Sequence, residues 1–243
     1  VPYGHDLWIL VPLMLGVFVG SFGFPVLLIL VTFGANVRKW SLHTKLTLAT
    51  TTILMLLGSL LWILLEWSNP ETIGGRSFGD KLLNAVFASI MMRSGGFNLV
   101  DQNAMEPETM LLTDMLMFAG GGSASTAGGL KVTTVAVVFL AIVAEARGDA
   151  DVKAFGRRIP ESAMRVAISV VALGATIVSV SSGLLLAISG EPLDRVVFES
   201  ISAFATVGLS SNLSGELPPA GKYVLSAAMF MGRVGTMTLA AAL

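Results

Sequence analysis

Residues 198–210 read FESISAFATVGLS, and residues 87–98 read FASIMMRSGGFN. The two stretches align with Gly96 opposite Gly208, and the later stretch has one extra residue before its glycine. Each stretch follows a long apolar run and leads through a polar exit into another one. Because an internal repeat is a strong organisational pattern, we expect two copies of one plan: a long span, a short helix, a glycine loop and a second long span.

The composition is typical of an integral membrane protein. Hydrophobic residues make up 54% of the 243 residues and charged residues only 13%, whereas soluble domains carry roughly 25% charge. The mean hydropathy is +0.80, and several apolar runs reach the ~20 residues that cross a bilayer. A net charge of −1 excludes nucleic-acid binding, which needs a basic face. The absence of cysteine excludes disulfides and thiolate metal sites.

The distribution of charge predicts the orientation in the membrane. Two connections, residues 35–45 and 147–165, hold eight of the 15 Lys and Arg residues, and the positive-inside rule places such connections in the cytoplasm. The short segments at residues 80–92 and 194–204 are too short to span, and the spans on either side of each run in opposite directions. We therefore expect both short segments to be re-entrant and both glycine loops to enter from outside.

Loops at this depth suggest an ion pathway. Non-helical backbone inside a membrane is tolerated only when it is buried in protein or lines a water-filled cavity. A short helix that ends in a glycine loop can point consecutive carbonyl oxygens at a dehydrated cation, as potassium filters do. The sequence Thr206-Val207-Gly208 contains the residue types of such a filter. A second interruption, residues 120–131, breaks a long apolar run with small and polar residues.

These motifs resemble the Ktr/Trk/HKT superfamily of cation transporters, and more narrowly the membrane subunit of bacterial Ktr potassium uptake systems. They occur in the expected order and cover nearly the whole chain. The motifs are residues 23–27 (GFPVL), 42–46 (LHTKL), 93–98 (RSGGFN), 120–131, 202–209 (SAFATVGL) and 232–235 (GRVG).

The resemblance implies an all-α membrane fold of four M1–P–M2 repeats around one pore, with re-entrant pore loops as in potassium channels. Residues 1–34 would be the last helix, M2, of the second repeat, followed by a cytoplasmic linker at 35–41. Residues 42–147 would form the third repeat, with an intramembrane gate loop at 120–130. A second linker at 148–161 would lead into a truncated fourth repeat at 162–243. We therefore expect a C-terminal fragment that holds two of four filter segments.

The resemblance also assigns candidate site residues. Backbone carbonyls of the two filter loops would bind K⁺, and the loop below them would act as a gate, with Lys131 anchoring its end and Arg233 forming an electrostatic barrier. Arg93 could brace the filter, and Glu199 either adds negative potential or pairs locally. The filter residues are Arg93, Ser94, Gly95, Gly96, Ala205, Thr206, Val207 and Gly208, and the gate residues are Gly120, Gly121, Gly122, Ser123, Ser125, Thr126, Gly128, Gly129, Lys131 and Arg233.

The predicted function is translocation of potassium through a gated pore in the cell membrane, by a multi-pass protein that is not an enzyme and needs no cofactor beyond the transported K⁺ or Na⁺. The alternative is a sodium-permeable or sodium-coupled secondary carrier, since carriers also use broken helices near the midplane. An intramembrane serine hydrolase built on Ser123 or Ser125 is rejected, because no histidine base lies in a predicted span. The implied partners are membrane lipid, a second copy in a homodimer, and a cytoplasmic nucleotide-binding (RCK-type) ring that contacts residues 147–158.

Overall fold

The structure, a computed structural model, describes residues 6–235. This part of the chain is almost entirely helical, as the sequence predicts, and short 3₁₀ turns occur at Val37–Lys39 and Gln102–Ala104. The helices are α1 Leu7–Gly20, α2 Phe24–Phe33, α3 Leu42–Glu66, α4 Phe78–Met91, α5 Pro107–Phe118, α6 Val132–Arg147, α7 Glu161–Ser189, α8 Leu193–Ala205, α9 Leu213–Glu216 and α10 Pro219–Phe230, and a π-helical turn follows at Met231–Gly235.

Two helices are long and apolar enough to cross a membrane by themselves. These are α3, with 25 residues, and α7, with 29, and the bent pair α1 and α2 together forms a third candidate span. Large apolar side chains cover the outer surface: Trp8 is 91% exposed, Val31 86% and Tyr223 76%. Apolar surface on this scale fits lipid rather than water. The predicted class, a multi-pass helical membrane protein, is confirmed.

The first apolar run is not one continuous helix. The sequence predicts a single M2 helix within residues 1–34, but α1 and α2 meet at 97° across a break at residues 21–23. Gly23 has φ +87°, a conformation that ends a right-handed helix. Pro25 lies in the first turn of α2, where its missing N–H costs no hydrogen bond. The predicted single helix is therefore two helices joined by a sharp bend.

The two short helices lie inside the bundle. Helix α4 packs against α3, while α8 packs against α5, α7 and α10, and their bounds agree with the predicted segments to within two residues. A core cluster between α3, α4, α5 and α8 includes Trp62, Met117 and Phe198, each at most 1% exposed. This burial holds the C-terminal ends of both short helices deep within the protein.

Two further apolar runs are interrupted. Helix α5 stops at Phe118 and α6 begins at Val132, which leaves residues 119–131 as an irregular loop. The last described helix, α10, passes into the π-helical turn Met231–Gly235. The three interruptions, at residues 21–23, 119–131 and 231–235, contact one another through backbone hydrogen bonds. The rest of the predicted final span, residues 236–243, lies outside the described residues.

The connection between α6 and α7 contains a feature that the all-helical prediction missed. Strands β1, Lys153–Ala154, and β2, Arg157–Arg158, form an antiparallel hairpin. Its turn residues Phe155 and Gly156 have φ +49° and +75°, and positive φ at both central positions defines the type I′ turn that suits a two-residue hairpin. The predicted linker at 148–161 is therefore ordered.

Candidate functional site

The loop after α8 is shaped by hydrogen bonds to residues of α8 itself. Thr206 adopts a left-handed conformation, φ +53°, which ends α8 and turns the chain. The N–H of Val207 donates to the carbonyl of Ser202 at 3.0 Å, and the hydroxyl of Ser202 donates to the carbonyl of Leu209 at 2.6 Å. These two bonds, one on each side of Gly208, fix the curvature of the loop.

The side chain of Glu199 holds the residues that follow this loop by hydrogen bonds. Its side chain is buried, and its Oε1 atom accepts hydrogen bonds from the hydroxyl of Ser210, the N–H of Ser211 at 2.9 Å and the Ser211 hydroxyl at 3.3 Å. The sequence left two roles open for this carboxylate. The structure shows that it pairs locally, from a position about two helical turns before the loop begins.

The loop after α4 is held by different hydrogen bonds, but it also turns the chain sharply. The N–H of Gly95 donates to the carbonyl of Met91 at 2.9 Å, which closes the last turn. Ser94 and Gly96 have φ values of +118° and +68°, and a non-glycine residue at positive φ is uncommon. The chain therefore reverses sharply between Arg93 and Phe97.

The structure brings the two predicted filter glycines into contact. A Cβ atom placed on Gly208, φ +92°, would lie 3.2 Å from the Cα of Gly96. A Cβ placed on Gly96 would lie 3.0 Å from the carbonyl oxygen of Val207. Positive φ and close backbone approach both require glycine at these two positions.

The six carbonyls that we predicted as ligands lack intramolecular partners. Within residues 6–235, no hydrogen bond ends on any of these oxygens. Each backbone carbonyl is a strong hydrogen-bond acceptor, so these six on two adjoining loops form a concentrated set of available oxygen ligands. The carbonyls belong to Arg93, Ser94, Gly95, Ala205, Thr206 and Val207.

The loop at residues 119–131 is pinned to the α1–α2 bend. The N–H of Gly122 donates to the carbonyl of Ser21 at 2.7 Å, and the N–H of Phe24 donates to the carbonyl of Ala124 at 3.2 Å. A Cβ on Gly122 would overlap the carbonyl oxygen of Phe22. Backbone hydrogen bonds therefore hold this loop of small residues against the bend.

The opposite side of the same loop meets the second filter loop and the last helix. The N–H of Gly128 donates to the hydroxyl of Thr206 at 2.8 Å, and the N–H of Gly129 donates to the carbonyl of Gly232 at 3.3 Å. The loop therefore lies directly against Thr206 of the predicted filter.

Three cationic side chains bind carbonyls of this loop. Arg93, 2% exposed, donates from one terminal nitrogen to the carbonyls of Ala119 and Gly120, both at 3.2 Å, so it braces the predicted gate rather than the filter. Lys131 donates to the carbonyl of Ala127 at 2.7 Å. Arg233, in the π-helical turn after α10, donates to the carbonyl of Thr126.

The remaining predicted gate residues make contacts that fix the conformation of the loop itself. Ser125 accepts a bond from the N–H of Ala127 at 3.3 Å, and the carbonyl of Ser123 lies against Gly23. A Cβ on Gly121 would lie 2.8 Å from that of Ala127, and one on Gly120 would overlap the carbonyl of Gly128. All ten predicted gate residues thus lie in or against one structural unit.

Sequence reasoning missed some members of this site. Ser202 and Ser21 carry the bonds that shape the filter loop and seat the gate loop, yet both are ordinary small residues in apolar runs. One available indication was the cluster Gly20-Ser21-Phe22-Gly23 followed by Pro25, which is a helix-breaking pattern. Within the described residues, no group of three or more acidic, histidine or cysteine side chains is arranged to hold a metal ion.

Short helices buried inside the bundle, paired glycine loops and three interrupted apolar runs are features of helical membrane transport proteins. Residues 1–242 match the TrkH family, whose members are described as cation transport proteins. The chain belongs to this family.

Individual relatives agree with that assignment. The chain is 37% identical to Ktr system potassium uptake protein B of Vibrio alginolyticus over 93% of its own length and 50% of the relative's, and 38% identical to the protein of that name from Bacillus subtilis over 90% and 49%. It is 34% identical to potassium/sodium uptake protein NtpJ of Enterococcus hirae over 84% and 46%. The chain thus spans about half the length of these relatives.

A solved structure supports the fold. The potassium transporter TrkH from Vibrio parahaemolyticus superimposes with a TM-score of 0.73 and covers 95% of this chain and 50% of its own, at 20% sequence identity. At that identity the likeness bears on the fold alone. The family match and the curated relatives confirm the predicted resemblance to the Ktr/Trk group.

Proposed function

We propose that this chain supplies two of the four filter segments of a potassium pore. The observation that carries the proposal is the contact between Gly96 and Gly208, flanked by six carbonyls that accept no hydrogen bond from residues 6–235. Carbonyl oxygens aimed at one point replace the hydration shell of a cation such as K⁺. Two adjoining loops surround only part of an ion, so further segments complete the ring in the assembled transporter.

The gate, in this proposal, is the loop at residues 119–131. It lies against Thr206 of the filter, it is held by reversible hydrogen bonds rather than by a packed side-chain core, and Arg233 binds its carbonyl at Thr126. Release of these bonds would move the loop and its attached positive charge away from the path of the ion. Binding energy for that movement would come from partners on the cytoplasmic side.

The proposed partners follow from the relatives' names. Relatives called "Ktr system" proteins point to a multi-component uptake system, and we propose that this chain works in the plasma membrane with a cytoplasmic nucleotide-binding ring and as a homodimer. The ring would act on the side that carries the basic connections.

The ion is the second question, because one relative is named a potassium/sodium uptake protein. A sodium-permeable pore or a sodium-coupled carrier is therefore the competing function. A carrier has no pair of re-entrant loops open to one side, so cysteines introduced as Gly96→Cys and Gly208→Cys discriminate between them. Labelling of both positions by an impermeant reagent from outside supports a pore; labelling of neither supports a carrier.

The test of transport uses cells that lack their own potassium uptake systems and carry the complete gene that encodes this chain. We expect growth at low external K⁺ and uptake of K⁺ or Rb⁺, with an empty vector as the negative control. Failure to restore uptake, with the protein shown to be present in the membrane, would contradict the proposal.

A further inference from the structure

An apolar groove runs along the outer surface between α3 and α6. Its volume is about 500 Å³, within the range of sites that hold small apolar molecules. Its walls are aliphatic and aromatic, and the lining includes Leu46, Ile53, Leu57, Phe139 and Leu140. Several of these side chains, such as Ile53 and Phe139, are exposed at the surface. The groove is therefore open to whatever surrounds the protein in the membrane.

The length of the groove matches one leaflet of a bilayer. Leu46 and Leu57 mark its two ends on α3, and the helical rise places them about 16 Å apart. Half of a ~30 Å hydrocarbon core is about 15 Å. Because the N-terminal end of α3 adjoins the basic connections, this leaflet is the cytoplasmic one.

The β-hairpin closes the cytoplasmic end of the groove. Lys153, Ala154 and Phe155 all line it. Ala154 is buried in a cluster with Val152 and Ile159 against α6 and α7, so the hairpin is fixed to the membrane helices. This anchoring holds its turn at the depth where the groove meets the headgroup region.

Phe155 occupies a conformation that its side chain disfavours. Its φ of +49° is an outlier for a bulky residue, and Asn is the usual residue before Gly in such a turn. The ring is nonetheless 57% exposed and faces the groove. An aromatic side chain at a membrane interface, kept in spite of backbone strain, points to contact with a ligand.

The charge at this end is positive and unopposed. Among the described residues, Lys153 is the one charged residue that lines the groove, and Arg157 lies on the far side of the same turn. Arg158 pairs with Asp151 at 3.0 Å, but within residues 6–235 the side chains of Lys153 and Arg157 make no ion pair. An apolar slot with a cationic mouth is complementary to an anionic amphiphile.

We propose that this groove is a binding site for an anionic phospholipid of the cytoplasmic leaflet. One acyl chain lies along α3 and α6, the Phe155 ring covers its upper part, and the phosphate contacts Lys153 with Arg157 adding charge. Juxtamembrane Lys and Arg residues attract anionic headgroups at about 1 kcal/mol each.

The experiment uses native mass spectrometry on the complete purified protein, titrated with phosphatidylglycerol or with phosphatidylcholine of the same acyl chains. We expect wild type to retain phosphatidylglycerol selectively. The double variant Lys153→Gln/Arg157→Gln should bind it on the order of tenfold more weakly, while the matched control Arg38→Gln/Lys39→Gln, which removes the same charge from the same side, should bind it as wild type does.

The variant Phe155→Asn separates a ligand contact from a structural role. Asn suits the turn better than Phe, so the variant should be at least as thermostable as wild type and yet retain less lipid. Equal retention of both lipids by wild type would overturn the proposal, and so would unchanged retention in both hairpin variants.

If a second copy of the protein or the cytoplasmic partner covered this surface instead of a lipid, the experiments would give different results. An Ile53→Cys variant in a cysteine-free background that forms a disulfide between copies would show that the groove is a protein interface. Loss of the cytoplasmic partner from Lys153→Gln/Arg157→Gln with lipid retention intact would make the hairpin a partner contact. Either result would refute the lipid site without bearing on potassium transport.

Discussion

The Thr206 hydroxyl accepts a hydrogen bond from the N–H of Gly128 at 2.8 Å. This single bond joins the proposed filter to the proposed gate, 78 residues apart in the chain. The two loops are therefore directly connected, and we expect a change in one to reach the other through this atom pair.

Removal of that hydroxyl should uncouple the two loops. Thr206→Val keeps the shape of the side chain but leaves the N–H of Gly128 unpaired in a buried site, at a cost of about 1–3 kcal/mol. We expect a lower thermal midpoint and potassium uptake that depends less on the cytoplasmic partner. Thr206→Ser, which keeps the acceptor, is the control and should behave as wild type; equal defects in both variants would show that the methyl group matters instead.

The role of Glu199 can be resolved by two substitutions. Glu199→Gln removes the charge but keeps an oxygen that accepts from Ser210 and Ser211, whereas Glu199→Leu removes every acceptor. Because the carboxylate bonds locally, Gln should retain most potassium uptake and Leu should lose most of it, with a destabilisation of about 1.5–3 kcal/mol. If Gln is as defective as Leu, the negative potential is the essential property. Potassium uptake and thermal unfolding, measured on both variants, distinguish these two roles of Glu199.

The seat of the gate loop depends on the absence of a side chain at Gly122. Its Cβ would overlap the carbonyl of Phe22, so Gly122→Ala should displace the loop from the α1–α2 bend. We predict raised potassium flux in the absence of the cytoplasmic partner, measured in proteoliposomes. Gly183→Ala, at a helical glycine with open space around it, is the matched control. Unchanged flux in a folded Gly122→Ala protein would exclude this contact from gating.

Much of this architecture was predictable because it rests on local patterns. The lengths of the apolar runs predicted the long spans α3 and α7. The internal repeat predicted α4 and α8 with their glycine loops. Interruption of the run at residues 120–131 was equally visible, since glycine and small polar residues cannot continue a membrane-facing helix.

The rest depends on contacts between distant residues or on very short elements. The sharp bend before α2 needed the positive φ of Gly23, which a glycine permits but does not impose. The two-residue strands β1 and β2 are too short for any periodicity. Bonds such as the one from the Arg93 side chain to the carbonyl of Ala119 join segments whose proximity a single sequence does not reveal, so this contact with the loop at residues 119–131 could not be predicted.

The most direct test of the central claim is the ratio of potassium to sodium uptake in Gly208→Ser. Gly208 has φ +92° and lies against Gly96, so a side chain there strains the loop and separates the two carbonyl-bearing segments. The account predicts a clear fall in the potassium/sodium uptake ratio, with Gly215→Ser, at a glycine with no neighbour within 4 Å, unchanged. An unaltered ratio in an abundant, active Gly208→Ser protein would contradict the claim that these loops form the filter.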